Sequence, residues 1–277
     1  MPNFQTSDGL TLYFRTEGEG IPMLCLSGLT RNSSDFNYIT GKLPGARLIM
    51  MDYRGRGRSD WAADHRSYNL QRESQDALEL LDHLGIARAA VLGTSRGGLN
   101  ALAMAHTARQ RLLGVAFNDI GPELEPRGLQ PILDYLGRPP TWKTLAEAAA
   151  ARPSIMGGFA NVVAARWREE AEQAYHQVPG GLVLAYDPRL REAVLGSMEP
   201  AAHAAPDLWA LYRGLQAMPV AVIRGANSDL LSAEVHQRMA QELSDVIVAT
   251  VADRGHAPFL DEVDSLSALR RWVGRLQ

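Results

Sequence analysis

A serine lies between two glycines in the stretch Gly93-Thr94-Ser95-Arg96-Gly97, which has the G-x-S-x-G pattern. An apolar run precedes this stretch and small residues follow it, as expected for a sharp turn from a strand into a helix. Such a turn holds the serine hydroxyl clear of the sheet, and the helix N-terminus behind it favours developing negative charge. A serine hydroxyl is a poor nucleophile near neutral pH unless a base takes its proton. We therefore predict that Ser95 is a nucleophile that is assisted by a base.

His256 is the candidate base because it follows a predicted strand, whereas the other six histidines lie in predicted helices, polar loops or the middle of the chain. An imidazole pKa of about 6.5 suits both removal and return of a proton. The imidazole also needs a carboxylate that fixes its tautomer. We predict Asp229, just beyond the next-to-last strand, for this role. Asp119 ends the preceding strand and competes, but we favour a structural role for it at the start of an insertion.

The elements around these residues alternate between strands and helices. The strands are apolar runs rather than strictly alternating sequences, which indicates a parallel sheet buried on both faces. In such sheets ligands bind at the carboxyl ends of the strands, where Ser95, Asp229 and His256 are predicted to lie. Strands are predicted at residues 10–15, 22–26, 46–52, 89–94, 112–117, 220–224 and 246–251, and helices at 70–84, 96–107 and 233–243 and at the C-terminus.

The alternation stops after Asp119 for roughly ninety residues, which is too long for an ordinary connection. Helical patterns at 144–151, 161–176 and 207–216 fill this interval. We predict a helical cap over residues 122–214, inserted into a core domain formed by residues 1–121 and 215–277.

Composition argues against several classes of partner. Lys and Arg number 28 against 31 Asp and Glu, and the formal net charge of -3 gives no basis for binding nucleic acid or an anionic membrane. Cys25 is the only cysteine, so no intrachain disulfide or CxxC motif exists. The N-terminus lacks the features of a secretory signal, and we expect a cytoplasmic protein that is a monomer or homodimer and uses no metal or organic cofactor.

Together these motifs resemble the α/β-hydrolase superfamily, and the resemblance covers nearly the whole chain. It implies the α/β-hydrolase fold, a mostly parallel doubly wound sheet with a helical cap insertion. The cap makes the chain most similar to the esterase, lactonase and C-C hydrolase branches. The matching features are Gly93 to Gly97, Asp52 to Asp60 after a strand, Gly225 to Asp229, and Gly255-His256 with Pro258.

The resemblance also implies an oxyanion hole made by the backbone N–H groups of Leu29 and Arg96. Related proteins often have His-Gly before this position, whereas this chain has Ser27-Gly28. The Arg96 side chain either meets an anionic part of the substrate or pairs with a surface carboxylate. Candidate substrate contacts are Ser27, Trp142, Phe159 and Trp209.

We predict a serine hydrolase that cleaves a small carboxylic ester or lactone through an acyl-enzyme intermediate. Cleavage of a C–C bond with the same residues is an alternative, although relatives with that activity often carry Trp after the histidine and this chain has Ala257. Two other classes stay open: a cofactor-independent dioxygenase, in which His256 deprotonates the substrate, and a ligand receptor with little turnover.

Overall fold

The structure is a computed structural model that describes residues 2–198 and 206–276. Its described residues contain ten strands, of which eight form one sheet and two form a separate hairpin. The strands are β1 (Asn3–Gln5), β2 (Thr11–Glu17), β3 (Ile21–Leu26), β4 (Ala46–Met51), β5 (Ala89–Thr94), β6 (Leu112–Asn118), β7 (Tyr175–Val178), β8 (Gly181–Leu184), β9 (Val220–Gly225) and β10 (Ile247–Val251).

Nine α-helices connect or cover the strands within the same described ranges. No helix there is both long and apolar enough to cross a membrane. The helices are α1 (Leu70–His83), α2 (Arg96–Ala108), α3 (Pro126–Tyr135), α4 (Leu145–Ile155), α5 (Ala164–Ala174), α6 (Leu190–Met198), α7 (Leu208–Arg213), α8 (Ala233–Glu242) and α9 (Val263–Val273).

The large sheet has the order β1-β2-β4-β3-β5-β6-β9-β10. The strands from β4 to β10 in this order pair in parallel, whereas β1 and β2 add an antiparallel edge. The central strand β5 is buried along almost its whole length because helices cover both faces, which explains its apolar sequence. The predicted fold class, a mostly parallel α/β sheet with flanking helices, is confirmed.

The structure differs from the predicted elements in the helices α3 and α6, which were not predicted, and at two further places. β1 has only three residues, which is too short for a recognisable hydrophobic period. The helix predicted over 161–176 ends at Ala174, and β7 and β8 then form an antiparallel hairpin. Gly180 and Gly181 make its turn with φ of 96° and 154°, angles that favour glycine.

The segment between β6 and β9 contains α3 to α7 and the hairpin. α4 packs against α5 over the carboxyl ends of the sheet strands, whereas α7 packs on the core helix α2 and buries Tyr212 in the main core. Residues 199–205 of the predicted cap lie outside the described residues. The cap limits of 122 and 214 stay a prediction.

Candidate active site

Ser95 lies at a strained turn between β5 and α2. Its φ of 51° and ψ of -117° are rare for a residue with a side chain, a conformation that costs on the order of 1–3 kcal/mol. Glycines on both sides permit the turn. A Cβ on Gly93 would lie 2.4 Å from the Gly97 carbonyl carbon, and one on Gly97 would lie 2.0 Å from the Leu26 oxygen. The predicted turn with its serine at the tip is therefore present.

His256 lies beside Ser95 in the loop after β10. Its Nε2 is 2.9 Å from Ser95 Oγ, and its Nδ1 is 2.7 Å from Asp119 Oδ2. A carboxylate can only accept at neutral pH, so Nδ1 carries the proton and Nε2 is free to accept one from the serine. The three side chains form a Ser–His–Asp arrangement with Asp119 as its acid.

The prediction that Asp229 orients His256 is wrong, because Asp119 occupies that position. Asp119 follows β6 directly, whereas Asp229 comes four residues after β9 ends at Gly225. The turn after β9 carries Asp229 under α3, where a Cβ on Gly128 would lie 2.6 Å from the Asp229 carbonyl oxygen. Asp229 is half-buried in the cavity wall and makes no side-chain hydrogen bond to any described residue.

The end of β9 and the loop after it hold Asp119 in place. The Gly225 N–H donates to Asp119 Oδ1 at 2.8 Å, and the Ser228 hydroxyl donates to Oδ2 at 2.6 Å. The Asp119 side chain is completely buried. With His256, it therefore receives three hydrogen bonds, which satisfy a buried carboxylate and fix its orientation.

The predicted oxyanion donors lie at the edge of the same site. Leu29 and Ser95 both line the cavity. Within residues 2–198 and 206–276, neither the Leu29 nor the Arg96 N–H has a hydrogen-bond partner, and their role as an oxyanion hole stays a prediction. The Arg96 side chain pairs with a buried carboxylate rather than with a surface one, because its Nε donates to Glu73 Oε2 at 2.7 Å.

Ser95 and His256 open into a cavity of about 650 Å³ between the sheet and the helices above it. This volume lies in the range of sites for small molecules. Trp142 and Phe159, two of the predicted substrate contacts, line the cavity, and their contact with a substrate stays a prediction.

The other two predicted substrate contacts lie elsewhere. Ser27 is fully buried, and its hydroxyl finds no hydrogen-bond partner in the described part of the chain. Trp209 packs on Tyr212, and the Arg238 guanidinium lies 3.8 Å from the centre of the Trp209 ring. Both predictions are therefore wrong. In each case the residue type suited a binding site. The Ser27 side chain, however, is in the packed interior, and the Trp209 side chain packs on Tyr212, away from the cavity.

A cluster of charged side chains forms the wall opposite the sheet. Arg31 Nε donates to Asp35 at 2.9 Å, and its Nη2 donates to Glu170 Oε2 at 2.8 Å. Glu170 also accepts from the Tyr38 hydroxyl at 3.0 Å. Burial and the Glu170 charge raise the pKa of Tyr38 above its usual range, so this hydroxyl stays a donor.

Sequence reasoning missed this cluster because its members come from distant segments. Arg31 and Glu170 are separated by 139 residues. Their charged residue types fit equally well on a solvated surface, and no local pattern predicts that they meet. Asp119, in contrast, carried a usable signal in its position directly after an apolar strand.

Comparison with known proteins agrees with this architecture. The model of the alpha/beta hydrolase family matches residues 23–268. A 3-hydroxybutyrate-oligomer hydrolase from Cupriavidus necator is 36% identical over 260 residues, which cover 91% of this chain and 88% of that protein. A 2-(acetamidomethylene)succinate hydrolase from Mesorhizobium japonicum is 27% identical over 95% of this chain and 92% of that protein.

The solved structures include an alpha/beta hydrolase from Novosphingobium aromaticivorans. It has a TM-score of 0.90 and 35% identity, and the match covers 99% of this chain and 97% of that one. The family match extends over most of the chain, including the strands that carry Ser95, Asp119 and His256. The chain therefore belongs to the alpha/beta hydrolase family.

Proposed function

We propose that the protein is a serine hydrolase that cleaves a small carboxylic ester through an acyl-enzyme intermediate. The observation that carries the proposal is the hydrogen-bonded series from Ser95 through His256 to Asp119 at the floor of the cavity, with contacts of 2.9 and 2.7 Å. Each contact lies within hydrogen-bond distance. The series therefore supports proton removal from the serine hydroxyl and stabilisation of the imidazolium that results.

In the first half-reaction Ser95 Oγ bonds to the ester carbonyl carbon while its proton passes to His256 Nε2. The Leu29 and Arg96 N–H groups hold the oxyanion, and such a donor contributes roughly 3–4 kcal/mol of transition-state stabilisation. The tetrahedral intermediate then expels the alcohol oxygen, which takes the proton from His256. Water repeats the sequence on the acyl-serine, releases the acid and returns the proton to Ser95. Asp119 stays ionised throughout.

The relative from Cupriavidus necator supports esters of hydroxy acids as the first substrates to test. Its name describes hydrolysis of 3-hydroxybutyrate oligomers, and it matches 91% of this chain. Successive units of such an oligomer are joined by ester bonds between one carboxyl group and the next hydroxyl group. The 650 Å³ cavity is large enough for a short oligomer of this kind. We propose short hydroxyalkanoate oligomers as the substrate class.

The test compares the protein with Ser95→Ala on p-nitrophenyl butyrate and on the methyl ester of the 3-hydroxybutyrate dimer. We expect kcat to fall by roughly 10⁴- to 10⁶-fold in the variant. A fluorophosphonate probe should label the unchanged protein at Ser95 and leave the variant unlabelled. Hydrolysis that survives the substitution would overturn the proposed nucleophile. Labelling without turnover of either ester would contradict ester hydrolysis and favour a receptor.

A second candidate is hydrolysis of a bond other than an ester with the same side chains. The Mesorhizobium japonicum relative, which acts on 2-(acetamidomethylene)succinate, supports it because it matches 95% of this chain. The discriminating measurement is product analysis by mass spectrometry after incubation with that compound and, separately, with the ester. Turnover of 2-(acetamidomethylene)succinate but not of the ester, if it is lost in Ser95→Ala, would favour this second candidate.

A further inference from the structure

Arg152 is a buried cation whose hydrogen-bonding capacity is largely unused. It lies on α4, lines the cavity above Ser95 and is only 7% exposed. Its Nη2 donates to the Glu170 main-chain carbonyl at 3.0 Å, and its Nη1 has only the weak acceptor Met156 Sδ at 3.8 Å. The Nε–H has no partner among the described residues. A guanidinium offers five N–H donors, so most of its capacity is unmet.

Two carboxylates, those of Glu170 and Asp35, line the same cavity as Arg152, but other groups already hold them. Glu170 uses its two oxygens to accept from Arg31 and from Tyr38. Asp35 pairs with Arg31, and burial raises the pKa of the Asp35 carboxyl. Arg152 itself forms no ion pair within the described ranges of the chain. Two carboxylates therefore converge on Arg31, and none contacts Arg152.

The position of Arg152 is fixed by its surroundings. Its guanidinium lies 5.7 Å from the centre of the Tyr175 ring, and the main-chain bond to Glu170 holds the other side. Burial and the nearby Arg31 charge lower the pKa of Arg152 from its usual value, and the Glu170 charge offsets them only in part. A buried cation in this state is costly until an anion pairs with it. An anionic group that enters the cavity would supply that pair.

We propose that Arg152 binds a carboxylate of the substrate, so that the preferred esters carry a free carboxylate group. This inference rests on the proposed ester hydrolysis and adds to it a recognition site at the cap side of the cavity. A guanidinium binds a carboxylate through two parallel N–H···O bonds, which gives both affinity and orientation. Arg152 is thus a specificity residue that acts on binding, whereas Ser95 and His256 act on the bond that breaks.

The test uses two substrates: the 3-hydroxybutyrate dimer, whose acid is ionised at pH 7.5, and its methyl ester, which is uncharged. Cleavage of the ester bond between the two units is followed in both. We expect the unchanged protein to prefer the acid in kcat/KM by about ten- to a hundredfold, as for hydrogen bonds to charged groups. In Arg152→Gln this preference should fall to about unity through a higher KM for the acid, whereas kcat/KM for the methyl ester should change much less. Equal kcat/KM for both substrates in the unchanged protein would overturn the proposal.

Arg168→Gln is the matched control because it also removes one arginine from the cap. Arg168 is on α5, half-exposed and paired with Glu172 at 2.6 Å, and it does not line the cavity. Its variant should keep the full preference for the acid. Arg138 also lines the cavity and is more exposed than Arg152. Loss of the preference in Arg138→Gln but not in Arg152→Gln would assign the carboxylate to Arg138 and overturn the role of Arg152.

A folding defect in Arg152→Gln would appear as loss of activity on the methyl ester and a lower Tm. Two measurements then decide. Arg152→Lys keeps the charge without the planar fork, and it should retain part of the preference. In the unchanged protein, butyrate should inhibit hydrolysis of the methyl ester more strongly than butyramide does, and equal inhibition would count against the proposal. If the proposed ester hydrolysis is itself wrong, the unchanged protein will not turn over the methyl ester either. The two failures are therefore distinguishable.

Discussion

The loops after β6 and β9 leave neighbouring strands of the sheet, yet they place their aspartates in opposite environments. Asp119, after β6, is completely buried and accepts hydrogen bonds from Gly225, Ser228 and His256. Asp229, after β9, is half-buried in the cavity wall and accepts none from a side chain or backbone group of the described residues. The first loop supplies the carboxylate, and the last residue of β9 together with the second loop supplies two of its donors.

This difference shows that a strand-end position does not by itself determine the role of an aspartate. A buried carboxylate is stable as an anion only where donors converge on it. The Gly225 N–H and the Ser228 hydroxyl meet this requirement for Asp119, whereas Asp229 lines the cavity wall without such donors. The segment Gly225 to Asp229 therefore matters for its glycine and serine rather than for its last residue.

Exchange of each aspartate for asparagine gives the largest expected contrast between the two loops. Asp119→Asn retains the shape but leaves His256 without an acceptor that fixes its tautomer, and kcat should fall by about 10⁴-fold. Asp229→Asn should change kcat little, because no contact to His256 is lost. Steady-state kinetics on p-nitrophenyl butyrate measure both variants. A larger loss in Asp229→Asn than in Asp119→Asn would reverse the assignment of the acid.

Removal of the Ser228 hydroxyl tests whether the β9 loop acts through Asp119. Ser228→Ala deletes a 2.6 Å bond to Asp119 Oδ2, and a hydrogen bond to a charged group is worth about 1.5–3 kcal/mol. We expect kcat to fall by about tenfold with KM unchanged. The double variant with Asp119→Asn should be no slower than Asp119→Asn alone. Multiplicative losses in the double variant would show that Ser228 acts on catalysis independently of Asp119.

Most of the core could be predicted from the sequence because its strands are buried on both faces and their ends are marked. β5 was predicted with the same limits as observed, Ala89–Thr94, and the turn at Ser95 followed from its flanking glycines. Local sequence determines these features: apolar runs form the strands, and close approach between Gly97 and Leu26 requires a residue without a side chain.

The acid and the cap wall could not be predicted in the same way because long-range contacts determine them. The choice between Asp119 and Asp229 depends on donors that lie 106 and 109 residues from Asp119 in the chain. Arg152 is unpaired because its neighbour Glu170 is already bound to Arg31, and no spacing within α4 or α5 reveals this. Candidate Trp209 failed for a related reason, because aromatic residues fit a core and a pocket equally well.

The smallest expected effect is on the pH dependence of protein stability. His236 on α8 contacts the carbonyl of the β9 residue Val222 at 3.3 Å. Burial lowers the pKa of His236, opposed by the hydrogen bond to Val222 and by Asp119 and aided by Arg224. Since only the unfolded chain binds this proton readily, the free energy of unfolding should decrease as pH falls below about 6.5, by at most about 1.4 kcal/mol per pH unit. His236→Gln cannot titrate, so in urea unfolding between pH 7.5 and 5 it should lose less stability than the unchanged protein. An equal loss of stability in the two proteins as pH falls would contradict a neutral His236. A changed kcat of His236→Gln at pH 7.5 would show that the region around β9 affects catalysis through more than the donors of Asp119.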